Sequence, residues 1–328
     1  MALASADLNR IAERYRSFAI DEARGVSAIY ETLALGIAAS PEILDFIASV
    51  PADRRQPNLF LAAVRQVCGV PENARHLGSL LRQEHERIRS VVLSRTTQTN
   101  EPARCSVLLP ILTQLPQPLA LLEVGASAGL CLLPDRYGYD YGSTCIEPAV
   151  KGAPVFRCAT RGTVPLPDAV PQVVWRLGLD LNPIDILSDE QVEWLELLVW
   201  PGQEDRAEKL RAAINAARSG PPEVVRGNLL TDLEPLMATA PKDATLVVFH
   251  TAVLAYVASR QQRDSFATMM RRGNAVWISN EAPGLFSSPT VITPPVPTRG
   301  RFLLTIDGKP VAWTGPHGQS IDWFATGD

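Results

Sequence analysis

The residues best suited to chemistry lie in one short run, Leu121-Leu122-Glu123-Val124-Gly125-Ala126-Ser127-Ala128-Gly129-Leu130. An aliphatic strand is expected to lead into a turn of small residues, with a helix after it. Two chemistries use this shape. In the first, the turn wraps a nucleotide-type ligand. Gly125 permits the sharp bend, Ala126 and Ala128 keep it slim, Gly129 lets the helix approach the strand, and backbone N–H groups at the helix start face the ligand. Glu123 then places an acid at the C-terminal end of the strand. In the second, Gly125-x-Ser127-x-Gly129 is a nucleophile elbow, and a later acid and histidine complete it, for example Asp180 or Asp232 with His250 or His317. Against the elbow, the chain before Leu119 reads as helical rather than as several strands, and no HGG-type oxyanion segment precedes it. The same five residues also suit a turn with a purely structural role.

The elements that must position this run are legible from periodicity. Apolar residues recur at three and four in LNRIAERYRSFAIDEA, AIYETLALGIAASPEILDFIAS, PNLFLAAVRQVCG and ARHLGSLLRQEHERIRSVVLS, which predicts helices up to about residue 95. Strands are expected over 119–125, 172–180, 223–228, 244–251 and 274–282. SDEQVEWLELLVW, QEDRAEKLRAAINAAR and SRQQRDSFATMMRR read as amphipathic helices between them. Strands alternating with helices predict parallel βαβ units with helices on both faces of the sheet. RFLLTIDGKPVAWTG reads as an antiparallel hairpin around Asp307-Gly308, and SIDWF as one more strand. The expected organisation is a helical N-terminal cap over 1–115 and an α/β domain over 116–328, with a proline-rich ordered insertion at 134–171.

The strand and its small-residue turn resemble motif I of Rossmann-like S-adenosylmethionine-dependent methyltransferases, which reads acid-x-Gly-x-Gly-x-Gly, with Ser127 at the middle glycine. The resemblance implies that Glu123, Gly125, Ser127 and Gly129 hold the methionine end of S-adenosylmethionine. Asp180, at the tip of the second strand in Gly178-Leu179-Asp180-Leu181-Asn182-Pro183, stands where ribose hydroxyls are held; alternatively Asp180 or Asn182 caps the turn that follows. Asn228 and Leu229, after the third strand, resemble the Gly-Asp pair that contacts adenine in such enzymes, with an amide in place of the acid. His250 ends the fourth strand and Glu281 the fifth. Either suits a general base, and a satisfied strand-end histidine reads equally well. Glu101 and Arg104, in QTNEPAR before the first strand, are expected to fold over the same mouth as part of a lid.

Composition narrows the classes. The chain has 328 residues, 46% hydrophobic and 20% charged, and a formal net charge of −4, which disfavours a partner held through its phosphate backbone. Its 5 cysteines form no C-x-x-C pair and its 4 histidines no metal-ligand spacing, so neither a disulfide framework nor a metal site is expected, and a reducing, cytoplasmic setting is. No secretory signal and no apolar run long enough to span a membrane is visible, so a soluble protein without a membrane partner is expected; the methyltransferase resemblance implies a small-molecule substrate.

Taken in order, QTNEPARCSVLLP, LLEVGASAGLCLLPDRYGYDYG, WRLGLDLNPIDI, LVWPGQEDR, VRGNLL, VVFHTAVLAY, SNEAPG and GPHG resemble the DUF2332 family of uncharacterised bacterial proteins, from about residue 80 to the end. The family is regarded as methyltransferase-like in fold, with no established activity to carry over. Cys131 stands where the family tends to have Asn, and Asn228 where it tends to have Asp. The resemblance implies a Rossmann-like, mostly parallel α/β sheet.

Overall fold

The computed structural model describes residues 2–98, 100–285, 295–296 and 300–325, and divides the chain into two compact units. One comprises Met1–Thr99 with Asp189–Glu208, the other Asn100–Ser188 with Lys209–Asp328.

The first unit holds α1 (Ala2–Ser17), prolonged by a π-helical turn (Phe18–Ala23), then α2 (Ala28–Ala38), α3 (Pro41–Ala48), α4 (Pro57–Cys68) and α5 (Ala74–Ser94). The starts follow local chemistry. Ser27 Oγ accepts from the Tyr30 amide and Asn73 Oδ1 from the His76 amide, while Pro41 and Pro57 open their helices, where a missing N–H costs nothing. The periodic apolar residues meet in one core that includes Tyr15, Leu33, Ile37, Ile43, Phe60, Leu77 and Ile88. Trp194, from the helix Asp189–Leu197, is part of that core. Its indole N–H donates to the Thr96 carbonyl at 2.9 Å, and Trp200 packs on Phe18 with ring centroids 5.2 Å apart. A segment that reads as a crossover helix of the α/β part thus completes the helical core.

In the second unit α6 (Cys105–Leu112) leads into β1 (Leu119–Val124), both buried throughout. β2 (Gly138–Asp140), β3 (Cys145–Ile146), β4 (Val155–Arg157), β5 (Ala159–Arg161) and β6 (Val173–Asp180) follow. The helix Asp189–Leu197 of the first unit is α7, and α8 (Glu204–Arg218) starts in the first unit and ends in the second; then come β7 (Glu223–Arg226), α9 (Leu233–Met237), β8 (Thr245–Thr251), α10 (Arg260–Arg272) and β9 (Val276–Glu281). β10 (Phe302–Ile306), β11 (Lys309–Thr314) and β12 (Ser320–Trp323) complete the described elements. The main sheet has the order β5-β12-β11-β10-β9-β8-β1-β6-β7. β7, β6, β1, β8 and β9 run parallel; β10, β11 and β12 pair antiparallel, the first two joined by the Asp307-Gly308 turn.

The first connection carries the chain from β1 to β6 on one side, and after β7 it returns to β8 on the other. The direction of winding therefore reverses at β1, and the C-terminal ends of β1, β6 and β8 border the crevice that such a reversal leaves. In register, Val124 lies beside Leu179 and His250, and His250 beside Ser279. One face of this sheet buries Leu122, Val124, Val248 and Trp277 against Phe266, Ala267 and Met270 of α10. Each such large side chain contributes about 1.5–3 kcal/mol by leaving water.

The helix expected after the small-residue turn does not form. The chain makes one 3-10 turn, Leu130–Leu132, and leaves helical geometry at Leu133 (φ −115°, ψ 38°). Pro134 explains this: it lacks the N–H that would bond the Leu130 carbonyl, its ring crowds that carbonyl, and it disfavours helical angles at Leu133. The proline-rich stretch that follows is ordered. β3, β2 and β4 make a small separate sheet, and β5 joins the edge of the main sheet beside β12. The buried hydroxyls of Tyr137 and Tyr139 donate to the carbonyls of Leu130 and Pro134. The second proline-dense stretch, from Pro283 to Pro297, lies largely outside the described residues.

Candidate functional site

The turn after β1 is left-handed at three positions, Gly125 (φ 73°), Ser127 (φ 53°) and Gly129 (φ 71°). A side chain on Gly125 would place its Cβ 2.3 Å from Val253 Cγ2, so the bend and the close approach both require glycine. Every backbone N–H of the turn is engaged within the protein. Gly125 and Ala126 donate to the Leu179 carbonyl, Ser127 to Asp180 Oδ2 at 2.8 Å, Ala128 to Asn100 Oδ1 at 3.0 Å, and Gly129 to the Ala126 carbonyl. Asn100 Nδ2 also donates to Ser127 Oγ. With no α-helix behind it and no amide to spare, this turn is not an anion cradle.

Asp180 stands at the tip of β6, next to the turn. Its Oδ2 accepts from Ser127 and its Oδ1 from the Asn182 amide at 2.7 Å, and its carbonyl accepts from Gly227. Each carboxylate oxygen retains a lone pair for a further donor. Asn182 is exposed. Asn228 is exposed after β7, with its Oδ1 accepting from the Leu230 amide and its N–H donating to Asp232 Oδ2. Leu229 beside it is half-buried.

His250 and Glu281 meet each other, but inside the protein. The His250 ring is fully buried, with Nδ1 2.7 Å from Glu281 Oε1 and Nε2 accepting the Trp277 indole N–H at 3.0 Å. Trp277 fixes the tautomer: Nε2 accepts, so Nδ1 carries the proton and donates to the carboxylate. With both nitrogens engaged and no exposure, His250 does not reach a ligand directly. Glu281 Oε1 also accepts from the amides of Val253 and Leu254, so this pair braces the bend after β8 (Ala252, φ 57°), whose Val253 lies against Gly125. In sequence the strand-end position fits a base; α10, whose Phe266 ring stands 5.4 Å from the imidazole, covers that face.

The opposite face of the same strands carries a second polar group. Glu123 is 4% exposed, and Cys131, Asp180 and Arg104 surround it. Burial pushes its carboxyl well above the usual carboxylate range, and the Cys131 and Asp180 groups push it further. Arg104, also buried, donates from Nε to the Pro316 carbonyl and from one terminal nitrogen to the carbonyl and hydroxyl of Thr251, with its guanidinium 5.8 Å from the Phe302 ring centre. Glu101 is buried beside it, and its Oε2 lies 3.1 Å from Nδ1 of His317. Three buried polar atoms at these strand ends have no hydrogen-bond partner among the described residues: Glu123 Oε2, Asn280 Nδ2 and Glu281 Oε2.

The comparisons bear on what this site belongs to. A family model described as uncharacterized protein conserved in bacteria (DUF2332) matches residues 12–77 and 69–323. The chain belongs to this family. Neither the comparison with curated proteins nor that with solved structures gives a match.

All the site residues of this DUF2332 chain expected from sequence lie in its second unit and within the matched span. The structure gathers Ser127 with Asp180, and Glu123 with Arg104. Glu101 reaches the latter group through its carbonyl, which accepts from Cys131 Sγ. Asn228, Leu229 and Asn182 stand at neighbouring strand ends. Sequence reasoning missed Asn100 as the residue that pins the turn, and His317 as the partner of Glu101; a polar Asn-Glu pair before a proline and a histidine between glycines were the signals. Among the described residues no group of three or more His, Cys, Asp or Glu is disposed to hold a metal ion. Among the described residues no helix is long and apolar enough to cross a membrane. A surface hollow at α9 and α10, lined by Glu234, Arg260, Asp264 and Arg272 among others, holds none of the candidate residues.

Proposed function

We propose that this chain binds S-adenosylmethionine across the C-terminal ends of β1 and β6 and transfers its methyl group to a small or medium-sized polar acceptor. The observation that carries this reading is Glu123: a buried acid at the end of β1, at the reversal of the winding, with an unpartnered oxygen. The order of the parallel strands, third-second-first-fourth-fifth, is that of Rossmann-like folds. The turn supports a ligand without phosphates, because its amides are already bonded and carboxylates surround it. A cationic, phosphate-free nucleoside suits such a place and a dinucleotide does not.

The residues present fit that group. Glu123 Oε2 would take its ammonium, Asp180 has lone pairs for the ribose hydroxyls, and the Asn228 amide with Leu229 would meet the adenine. When bound, S-adenosylmethionine supplies an electrophilic methyl group. The chain's part is to hold the acceptor in line with it and to keep water out, which accounts for large rate gains without a covalent intermediate on the enzyme. Gly125 and Ser127 shape the wall, and His250 acts from inside by fixing Glu281 and the bend at Val253.

A serine hydrolase built on Ser127 shares the left-handed φ of an elbow, but every described element before β1 is helical, both nitrogens of His250 are engaged elsewhere, and His317 pairs with Glu101 rather than with Asp180 or Asp232. Covalent labelling of Ser127 by a fluorophosphonate would favour it. Binding without turnover across broad acceptor panels would favour a non-catalytic module. Asp180→Ala is expected to weaken S-adenosylhomocysteine binding by about 10- to 100-fold, as loss of a charged hydrogen-bond acceptor does. Calorimetry reads the change, and unchanged affinity removes Asp180 from the site.

A further inference from the structure

His317 lies in the turn between β11 and β12 with 41% of its side chain exposed, while the Glu101 side chain that meets its Nδ1 is only 6% exposed. Among the described residues no group hydrogen-bonds its Nε2. A carboxylate accepts and does not donate, so Nδ1 carries the proton and Nε2 presents its lone pair outward. The turn is clamped to the segment that carries Glu101. Arg104 donates to the Pro316 carbonyl at 2.9 Å and Ser106 Oγ to the Gly318 carbonyl at 2.6 Å. Gly318 (φ 75°) runs so close to the Ala103 carbonyl that a Cβ there would stand 2.0 Å from its oxygen. Glu101 follows directly on Asn100, which pins the turn after β1 through Ser127 and Ala128.

We propose that His317 is the base that deprotonates the acceptor, with Glu101 as its positioning residue. The role rests on the proposed function, whereas the dyad itself does not. The acceptor's O–H or N–H bond breaks with its electron pair left on the oxygen or nitrogen. The proton forms a new N–H bond at Nε2, and the buried carboxylate steadies the resulting imidazolium. The dyad thus selects an acceptor whose nucleophilic oxygen or nitrogen carries a proton, rather than a thioether or a tertiary amine.

The chain contains its own control. His85 also has Nδ1 beside a carboxylate, Glu86 Oε1 at 3.0 Å, and a similar side-chain exposure of 47%, but Glu86 is 85% exposed and belongs to the solvent. Diethyl pyrocarbonate, followed by peptide mass spectrometry, reads the nucleophilicity of each ring without ligand or turnover. In the wild-type chain His317 is expected to react on the order of tenfold faster than His85, the low end of what an oriented outer carboxylate contributes to an imidazole. Glu101→Gln should abolish that excess and leave His85 unchanged, with continued protection of the buried His250 reporting an intact fold. Equal or slower labelling of His317 in the wild-type chain overturns the proposal, as does an excess that survives Glu101→Gln. Neither result depends on S-adenosylmethionine, so failure of the dyad and failure of the methyltransferase reading are separable.

Discussion

His250→Ala is expected to lower the free energy of unfolding by about 3–5 kcal/mol, the range seen when one member of a buried, hydrogen-bonded ionisable pair is removed. The ring is fully buried and serves two partners at once. Its loss leaves the Trp277 indole N–H without an acceptor and Glu281 with a second weakened oxygen, since Oε2 is already unpartnered. It also opens a void beside Phe266. Urea denaturation followed by circular dichroism measures the change. The contrast is His85→Ala, which removes an exposed ring whose carboxylate partner Glu86 is itself in solvent, and which should shift stability by about 1 kcal/mol or less. Equal costs for the two would mean that His250 is not an interior brace.

Glu123→Gln has an opposite signature that grows with pH. Burial first, and then the neighbouring Cys131 and Asp180 groups, raise the Glu123 carboxyl well above its ordinary value, so the folded chain keeps a proton that the unfolded chain releases. That proton favours folding below the unfolded value, and the stabilisation is lost as pH rises toward the folded one. Each pH unit in between costs about 1.4 kcal/mol. Glutamine has no proton to lose. The variant should therefore gain stability relative to the wild type steadily from about pH 5 upward. Urea midpoints of both proteins across that range provide the check. A difference that stays flat with pH would show that Glu123 is ionised in the fold.

The parts of this site that were legible in sequence are those set by local rules. Apolar runs marked the five parallel strands, and the Glu123–Gly129 run marked the turn at the end of the first. Asp180 was legible as a carboxylate at the tip of a strand, and its bonds to the Ser127 and Asn182 amides are the turn-capping arrangement that the sequence also allows. The helix after the turn was expected from its small residues, and Pro134 prevents it within one turn. The burial of His250 was hidden because a strand residue's face acquires its meaning only from what packs on it, here α10. Glu101 and His317 stand 216 positions apart, and no spacing rule reaches that far. Trp194 likewise lies in a run whose chain neighbours suit the α/β part, yet its indole belongs to the helical core.

The most direct test of the proposed function is calorimetry with S-adenosylhomocysteine in two buffers of different ionisation enthalpy. A ligand ammonium beside Glu123 Oε2 favours the carboxylate. Saturable binding should therefore release about one proton, seen as a difference in heat between the buffers. That difference should vanish in Glu123→Gln. Absence of saturable heat up to high micromolar ligand contradicts the proposed function.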